Sequence, residues 1–164
     1  MKSIQLAFSI SIITFTNFAF SQAASINSAL QSMASTSSEG TKCVQMLNSN
    51  NTKLLINPSP SIKAVLTIDP KQLLLSDQFK NLNVQERSAV VELINASKVC
   101  ANHNNGLRSI SKDLENLGPT LQNDKTAQVQ IKNLMETHQM VSKTFVDLEK
   151  VSPDLAHFIH MHGM

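Results

Sequence analysis

Apolar residues recur every three or four positions along most of the chain, which is the spacing of amphipathic α-helices. The first such stripe after residue 23 consists of Ile26, Ala29, Leu30 and Met33. A run of small residues, Ser35–Gly40, is predicted to end that helix. Thr36 and Glu39 have the spacing of a capping box, so we expect a second helix to begin there and to end at Asn48–Asn51.

Prolines in the middle of the chain indicate a loop and a helix start. Residues 57–61 predict a loop, and Ile62–Ile68 is short and apolar enough to form either a helical turn or an extended segment. Asp69 followed by Pro70 is typical of a helix start. We expect a short helix from there to about Phe79.

The second half of the chain carries longer stripes with clearer ends. Asn83, with Glu86 three residues later, predicts a capped helix start. That helix is predicted to end at Asn102–Gly106, and the next one at Gly118–Pro119.

Two further helices complete the predicted fold. The longer one runs from about Asp124 to Lys150, and a C-terminal helix with His and Met residues follows at about 153–162. The sequence sustains no period-two alternation of the kind that is typical of strands. We therefore predict an all-α fold, a small helical bundle of four to six helices.

The first 23 residues differ from the rest, because Lys2 is followed by a long apolar run that ends in small residues. This is the layout of a secretory signal peptide, and cleavage after Ser21 or Ala23 fits the small-residue rule. The alternative is an uncleaved membrane anchor, but Ser, Thr and Asn dilute the apolar run. We predict that residues 1–23 are removed and that residues 24–164 form one helical domain without an integral membrane segment. The protein would then be secreted or periplasmic.

Composition narrows the function classes. Without Lys2, 13 basic residues face 12 acidic ones, and the sequence contains neither Trp nor Tyr. A nearly neutral chain without these stacking side chains is a poor nucleic-acid binder. The sequence also lacks the common hydrolase, zinc-protease and phosphate-loop motifs. We therefore expect no nucleic-acid partner and no enzymatic activity.

Cys43 and Cys100 are the only cysteines in the sequence. In an exported chain, an even count is typical of a disulfide. A loop of nearly sixty residues closed in this way would contribute about 4 kcal/mol to the free energy of unfolding. The alternatives are free thiols, a catalytic thiol or two metal ligands, but an oxidising compartment disfavours a thiol nucleophile. We predict a structural disulfide between Cys43 and Cys100.

Histidine is concentrated at the C-terminus. His157, His160 and His162 are three of the five histidines, and Met161 and Met164 accompany them. Imidazole nitrogens bind Zn, Cu and Ni, and thioethers favour Cu(I). The cluster is therefore a candidate transition-metal site, with a solvated tail as the alternative. We expect no other cofactor.

Three further residues are candidates for chemistry. His138 lies on the apolar stripe of the long helix, where it is either a hydrogen-bonded core residue or a haem or metal ligand. Asn50 and Asn95 each begin an N-glycosylation acceptor sequence, which has meaning if the source is eukaryotic.

Together these features predict a secreted or periplasmic, non-enzymatic helical protein that binds a partner protein or a small apolar ligand. Two alternatives stay open at this point. One is transition-metal binding by the C-terminal histidines, and the other is an enzyme whose site forms only on folding.

Overall fold

Three long helices and several short ones make up the fold in the computed structural model. It describes the backbone of residues 2–69 and 71–162 and the side chains of residues 25–69, 71–116, 118 and 121–161. The α-helices are α1 (Lys2–Leu47), α2 (Asn50–Leu54), α3 (Pro60–Leu66), α4 (Asp77–Lys80), α5 (Val84–Leu121), α6 (Lys125–Val151) and α7 (Pro153–His162), and a 3₁₀ turn spans Leu73–Leu75. The described residues contain no strand, and the all-α prediction is confirmed.

Two of the long helices are continuous where the sequence predicts breaks. α1 runs through Ser35–Gly40 to Leu47, and α5 runs through Asn102–Gly106 and Gly118–Pro119 to Leu121. The predicted breaks are therefore wrong. Tertiary packing of a helix face outweighs weak local propensity.

Several predicted helix ends are confirmed by their caps. The Asn83 side chain accepts a bond from the Glu86 amide while the Glu86 carboxylate accepts one from the Asn83 amide, which is a complete capping box. The Asp124 carboxylate caps α6 through the Ala127 amide at 2.9 Å. The Ile62 region is helical, with Ser59 as the N-cap of α3. The segment after Asp69 forms the 3₁₀ turn and the single-turn α4 instead of one helix.

The end of α1 is stabilised by the short helix that follows it. The buried Thr52 hydroxyl donates a hydrogen bond to the Met46 carbonyl at 2.8 Å, and Ser49 caps α2 through the Thr52 amide. Carbonyls in the last helical turn have no partner within the helix. Thr52 therefore ties α2 to the end of α1.

The helices surround two separate apolar cores. α1 packs against both α5 and α6, while α7 folds back onto α6 and α5. The disulfide core is the larger cluster of buried residues: Cys43, Leu47, Leu55, Ile62, Val65, Leu73, Leu82, Ala89, Val90, Leu93, Ile94, Ala96, Cys100, Val141, Leu148, Leu155, Phe158 and Ile159. The distal core consists of Ala29, Met33, Ile110, Leu121, Ala127 and Leu134.

The predicted disulfide is present in the larger of these cores. Cys43 on α1 and Cys100 on α5 are bonded, with their Cα atoms 4.9 Å apart and both side chains buried. The bond links two helices that are 57 residues apart in sequence. It therefore fixes α1 against α5 at one end of their contact.

Candidate functional site

A layer of small and polar residues lies between the two cores. Thr36 and Gly40 come from α1, His103 and Gly106 from α5, and Thr137 from α6, all of them buried or half-buried. Along each helix these residues follow one core and precede the other. We call this group the polar layer.

The glycines of the polar layer permit close approach of the helices. A Cβ atom on Gly40 would lie 2.5 Å from Cγ2 of Thr137 and 2.7 Å from Nδ1 of His103. A Cβ atom on Gly106 would collide with the Thr36 side chain. Glycine in a helix interior is less favourable than alanine. Its presence at both positions is therefore explained by the space that Thr36, Thr137 and His103 occupy.

His103 is the only titratable residue among the fully buried side chains of the described part of the chain. Its Nδ1 lies 2.8 Å from the Thr36 carbonyl oxygen. A carbonyl oxygen can only accept a hydrogen bond, so Nδ1 carries the proton. In the neutral ring, Nε2 is then unprotonated, and this buried nitrogen has no hydrogen-bond partner in the described structure.

The surroundings of His103 favour its neutral form. Burial lowers the pKa of His103, the hydrogen bond to the Thr36 carbonyl opposes this shift, and the nearby His138 adds to it. The His138 ring lies with its centre 5.7 Å from the His103 ring centre, and the ring planes are tilted by 32°. His138 itself is exposed. Two histidines therefore meet at the edge of the polar layer.

A separate cavity opens between α3 and α7, next to the disulfide core. Its volume is about 540 Å³. Leu66, Ile68, Phe158 and Met161 form its apolar walls. Its polar residues are Lys63, Thr67, Asp69, Asp154 and His157. We call it the α3–α7 cavity.

The other concave surfaces are of different character. A groove of about 580 Å³ between α1 and α5 is lined mostly by Ser, Asn and Gln side chains with Glu39. A cleft of about 430 Å³ between the end of α1 and α6 includes Val44, Met140 and Val151. The groove is lined almost entirely by polar residues, whereas the cleft has apolar walls but is smaller and more open than the α3–α7 cavity. The α3–α7 cavity is the larger and more enclosed of the two surfaces that combine apolar walls with a few polar groups, as ligand sites do.

The C-terminal histidines lie on α7 but face different surroundings. His157 lines the α3–α7 cavity, whereas His160 lines a smaller cavity with Arg108 and Phe145. The side chain of His162 and all of Met164 lie outside the described residues. Among the residues that are described, no three His, Cys, Asp or Glu side chains form a group that could hold a metal ion. Metal binding by this cluster stays a prediction.

The remaining candidates are at the surface. Asn50 begins α2 and Asn95 lies within α5, and both side chains are exposed. His138, which the sequence places on an apolar stripe, is exposed but contacts the buried His103. Met135, from the same stripe, is 58% exposed.

His103 is the residue that sequence reasoning missed. The predicted helix end at Asn102–Gly106 left it in a turn. A continuous helix would have placed it on one face with Cys100, three residues before it, and Ile110, seven residues after it. The helical spacing was the available signal.

Comparison of the chain with models of protein families, with curated proteins and with solved structures gives no match. The function must therefore be inferred from the geometry of the molecule itself. Within the residues that the structure describes, no helix is long and apolar enough to cross a membrane.

Proposed function

We propose that the protein is exported and that it acts, without catalytic chemistry, as a binding protein for a small apolar ligand. The α3–α7 cavity is the observation that carries this proposal. Its volume of about 540 Å³ falls within the range of about 300–1,000 Å³ that is usual for small-molecule sites.

The walls and the rim of the cavity define the chemistry of its ligand. Leu66, Ile68 and Phe158 offer an apolar surface, and burial of apolar area is the main source of affinity in such a site. The rim brings Asp69 and Asp154 together with a single lysine, Lys63. Two carboxylates against one ammonium group favour a polar end that donates hydrogen bonds or carries positive charge. The ligand is therefore an apolar body with a donating or cationic end.

Met161 is the best position at which to test this site. It lines the cavity, yet its side chain is 46% exposed, so that a substitution there leaves the disulfide core intact. Met135 on α6 is a matched control, because it is similarly exposed and lines none of the cavities described above. The variants M161E and M135E introduce the same charge at the two places.

The experiment is a fluorescence titration with N-phenyl-1-naphthylamine, a neutral apolar probe with one N–H donor. Wild type and M135E should give the same saturable increase in emission. M161E should bind at least about tenfold more weakly, because a carboxylate would have to be desolvated beside the probe. Equal affinity in M161E and M135E, or no saturable binding by wild type, would contradict the proposal.

Export is supported by the sequence of residues 1–23 and by the type of bond that links Cys43 to Cys100. Disulfides persist in oxidising compartments outside the cytosol. Removal of residues 1–23 leaves every described core residue in place. Mass spectrometry of the protein recovered from a secreting host should show a mature N-terminus at Gln22 or Ala24. An intact Met1 would contradict the proposed cleavage.

A further inference from the structure

We propose that His103 and His138 together form a site for a divalent transition-metal ion, of the Zn(II), Ni(II) or Cu(II) class, at the edge of the polar layer. This site is separate from the α3–α7 cavity and from the C-terminal histidines. The proposal does not depend on ligand binding in that cavity.

The hydrogen bond of His103 prepares its ring to bind a metal. Nδ1 donates to the Thr36 carbonyl at 2.8 Å, and Nε2 is left unprotonated and without a partner inside the protein. Histidines that bind metals usually donate their other ring N–H to a carbonyl or carboxylate, which fixes the tautomer and the ring orientation. A buried nitrogen without a hydrogen-bond partner destabilises the folded protein. A bond from Nε2 to a metal ion would give this nitrogen a partner.

The separation of the two rings fits one shared ion. With metal–nitrogen bonds of about 2.0–2.1 Å, two imidazole rings on one ion have their centres about 5–6 Å apart. The observed separation of the ring centres is 5.7 Å. Because His138 is exposed, its ring can rotate to complete the pair without disturbing the core.

The chemistry of the pair selects the class of ion. Two imidazoles suit Zn(II), Ni(II) and Cu(II), whereas Mg(II) and Ca(II) prefer oxygen ligands. Because Nδ1 of His103 holds the proton that it donates to the Thr36 carbonyl, Nε2 is the nitrogen that can bind metal in the neutral ring. Among the described residues, no third His, Cys, Asp or Glu side chain joins the pair. The site therefore relies on two nitrogen ligands, and we expect binding in the micromolar range.

Calorimetric titration of the folded, oxidised protein with zinc chloride and with nickel chloride tests the site. H138Q is the informative variant, because His138 is exposed and its loss leaves the His103–Thr36 bond in place. The control replaces all three C-terminal histidines, as H157Q, H160Q and H162Q in one chain. Circular dichroism checks that both proteins keep the wild-type helix content.

Wild type and the C-terminal triple variant should each bind one equivalent of metal with equal affinity. H138Q should bind at least about tenfold more weakly. Addition of Zn(II) to wild type should also shift the Nε2 resonance of His103 in a ¹⁵N NMR spectrum. Absence of binding by wild type, unchanged affinity in H138Q, or loss of binding in the triple variant would overturn the proposal.

Discussion

The two cores of this bundle are built differently. The disulfide core draws buried side chains from α1, α3, α5, α6, α7 and the connecting segments, and it contains the Cys43–Cys100 bond. Among the side chains that the structure describes, those of the distal core come from α1, α5 and α6. Apolar burial contributes stability roughly in proportion to the area buried. Of the residues that the structure describes, more are buried in the disulfide core, so we expect this core to contribute more to stability than the distal core does.

This difference also separates rigid from less stable regions. Local opening begins where few buried contacts hold the backbone. The distal core meets that description, whereas the α3–α7 cavity lies beside the disulfide core. The proposed ligand site thus sits on the more stable half of the molecule.

Loss of the disulfide should be among the largest effects. The double variant C43A/C100A removes a covalent link between residues that are 57 apart in sequence. Chain-entropy arguments predict a loss of about 4 kcal/mol in the free energy of unfolding. Urea unfolding of the oxidised wild type and of the variant measures it. A loss below about 1 kcal/mol would mean that the two halves do not differ as we describe.

Paired truncations compare the two cores directly. Leu93 is fully buried in the disulfide core, and Leu134 is 5% exposed in the distal core. Leucine-to-alanine changes cost about 2–5 kcal/mol, depending on how far the site can relax. We expect L93A near the upper end of that range and L134A near the lower end. Chemical denaturation measures the loss in free energy of unfolding for both variants. A larger loss in L134A than in L93A would contradict the stated difference between the two cores.

Alanine substitutions at the glycines test the polar layer between the cores. G40A places a Cβ atom against Thr137 and His103, and overpacking of this kind costs about 1–3 kcal/mol. G118A is the control, because no atom outside its chain neighbours and the backbone of its own helix lies within 4 Å of the Cβ it would add. Alanine is the better helix former, but its Cβ is disfavoured directly before Pro119 in a helix, so G118A should change the stability by less than about 1 kcal/mol. Thermal unfolding of wild type, G40A and G118A measures both changes in stability. Equal effects would show that the helices do not meet closely at Gly40.

The smallest expected effect is a pH dependence of the free energy of unfolding, which arises from His103 in the polar layer. The pKa of His103 is lowered in the folded protein, chiefly by burial, with the Thr36 bond opposing the shift and His138 adding to it. In the unfolded chain the ring titrates near its ordinary pKa of about 6.5. Below that pH the unfolded state binds more protons, so the free energy of unfolding decreases as the pH falls.

Urea unfolding between about pH 5.5 and 7.5 measures this dependence, in a range above the titration of the carboxylates. The variant H103L removes the titrating group and should show a flatter dependence, whatever its absolute stability. Identical slopes for wild type and H103L would exclude His103 as the source.

Much of the fold follows from local sequence signals. The capping box at Asn83, the Asp124 cap and the helix that begins at Pro153 each depend on side chains within a few residues of one another. The disulfide follows from the cysteine count together with the N-terminal pattern. The helix starts depend on residues within one helical turn, and the disulfide depends on a single pair of cysteines. The sequence can predict them for this reason.

The long helices and the candidate sites depend on distant contacts. Ser35–Gly40 and Asn102–Gly106 look like helix ends, yet they cross each other in the polar layer, where small residues are needed for close packing. The error at Asn102–Gly106 also concealed His103. The α3–α7 cavity joins residues that are about ninety positions apart, and no local pattern in the sequence indicates such a pairing.

The location of bound ligand tests the central claim most directly. A ¹H–¹⁵N NMR titration of the oxidised protein with N-phenyl-1-naphthylamine reports which backbone amides sense the probe. We predict that the largest shifts fall on Leu66, Ile68 and Met161, at the α3–α7 cavity. Largest shifts at Val44 and Met140, in the cleft between α1 and α6, would contradict the account.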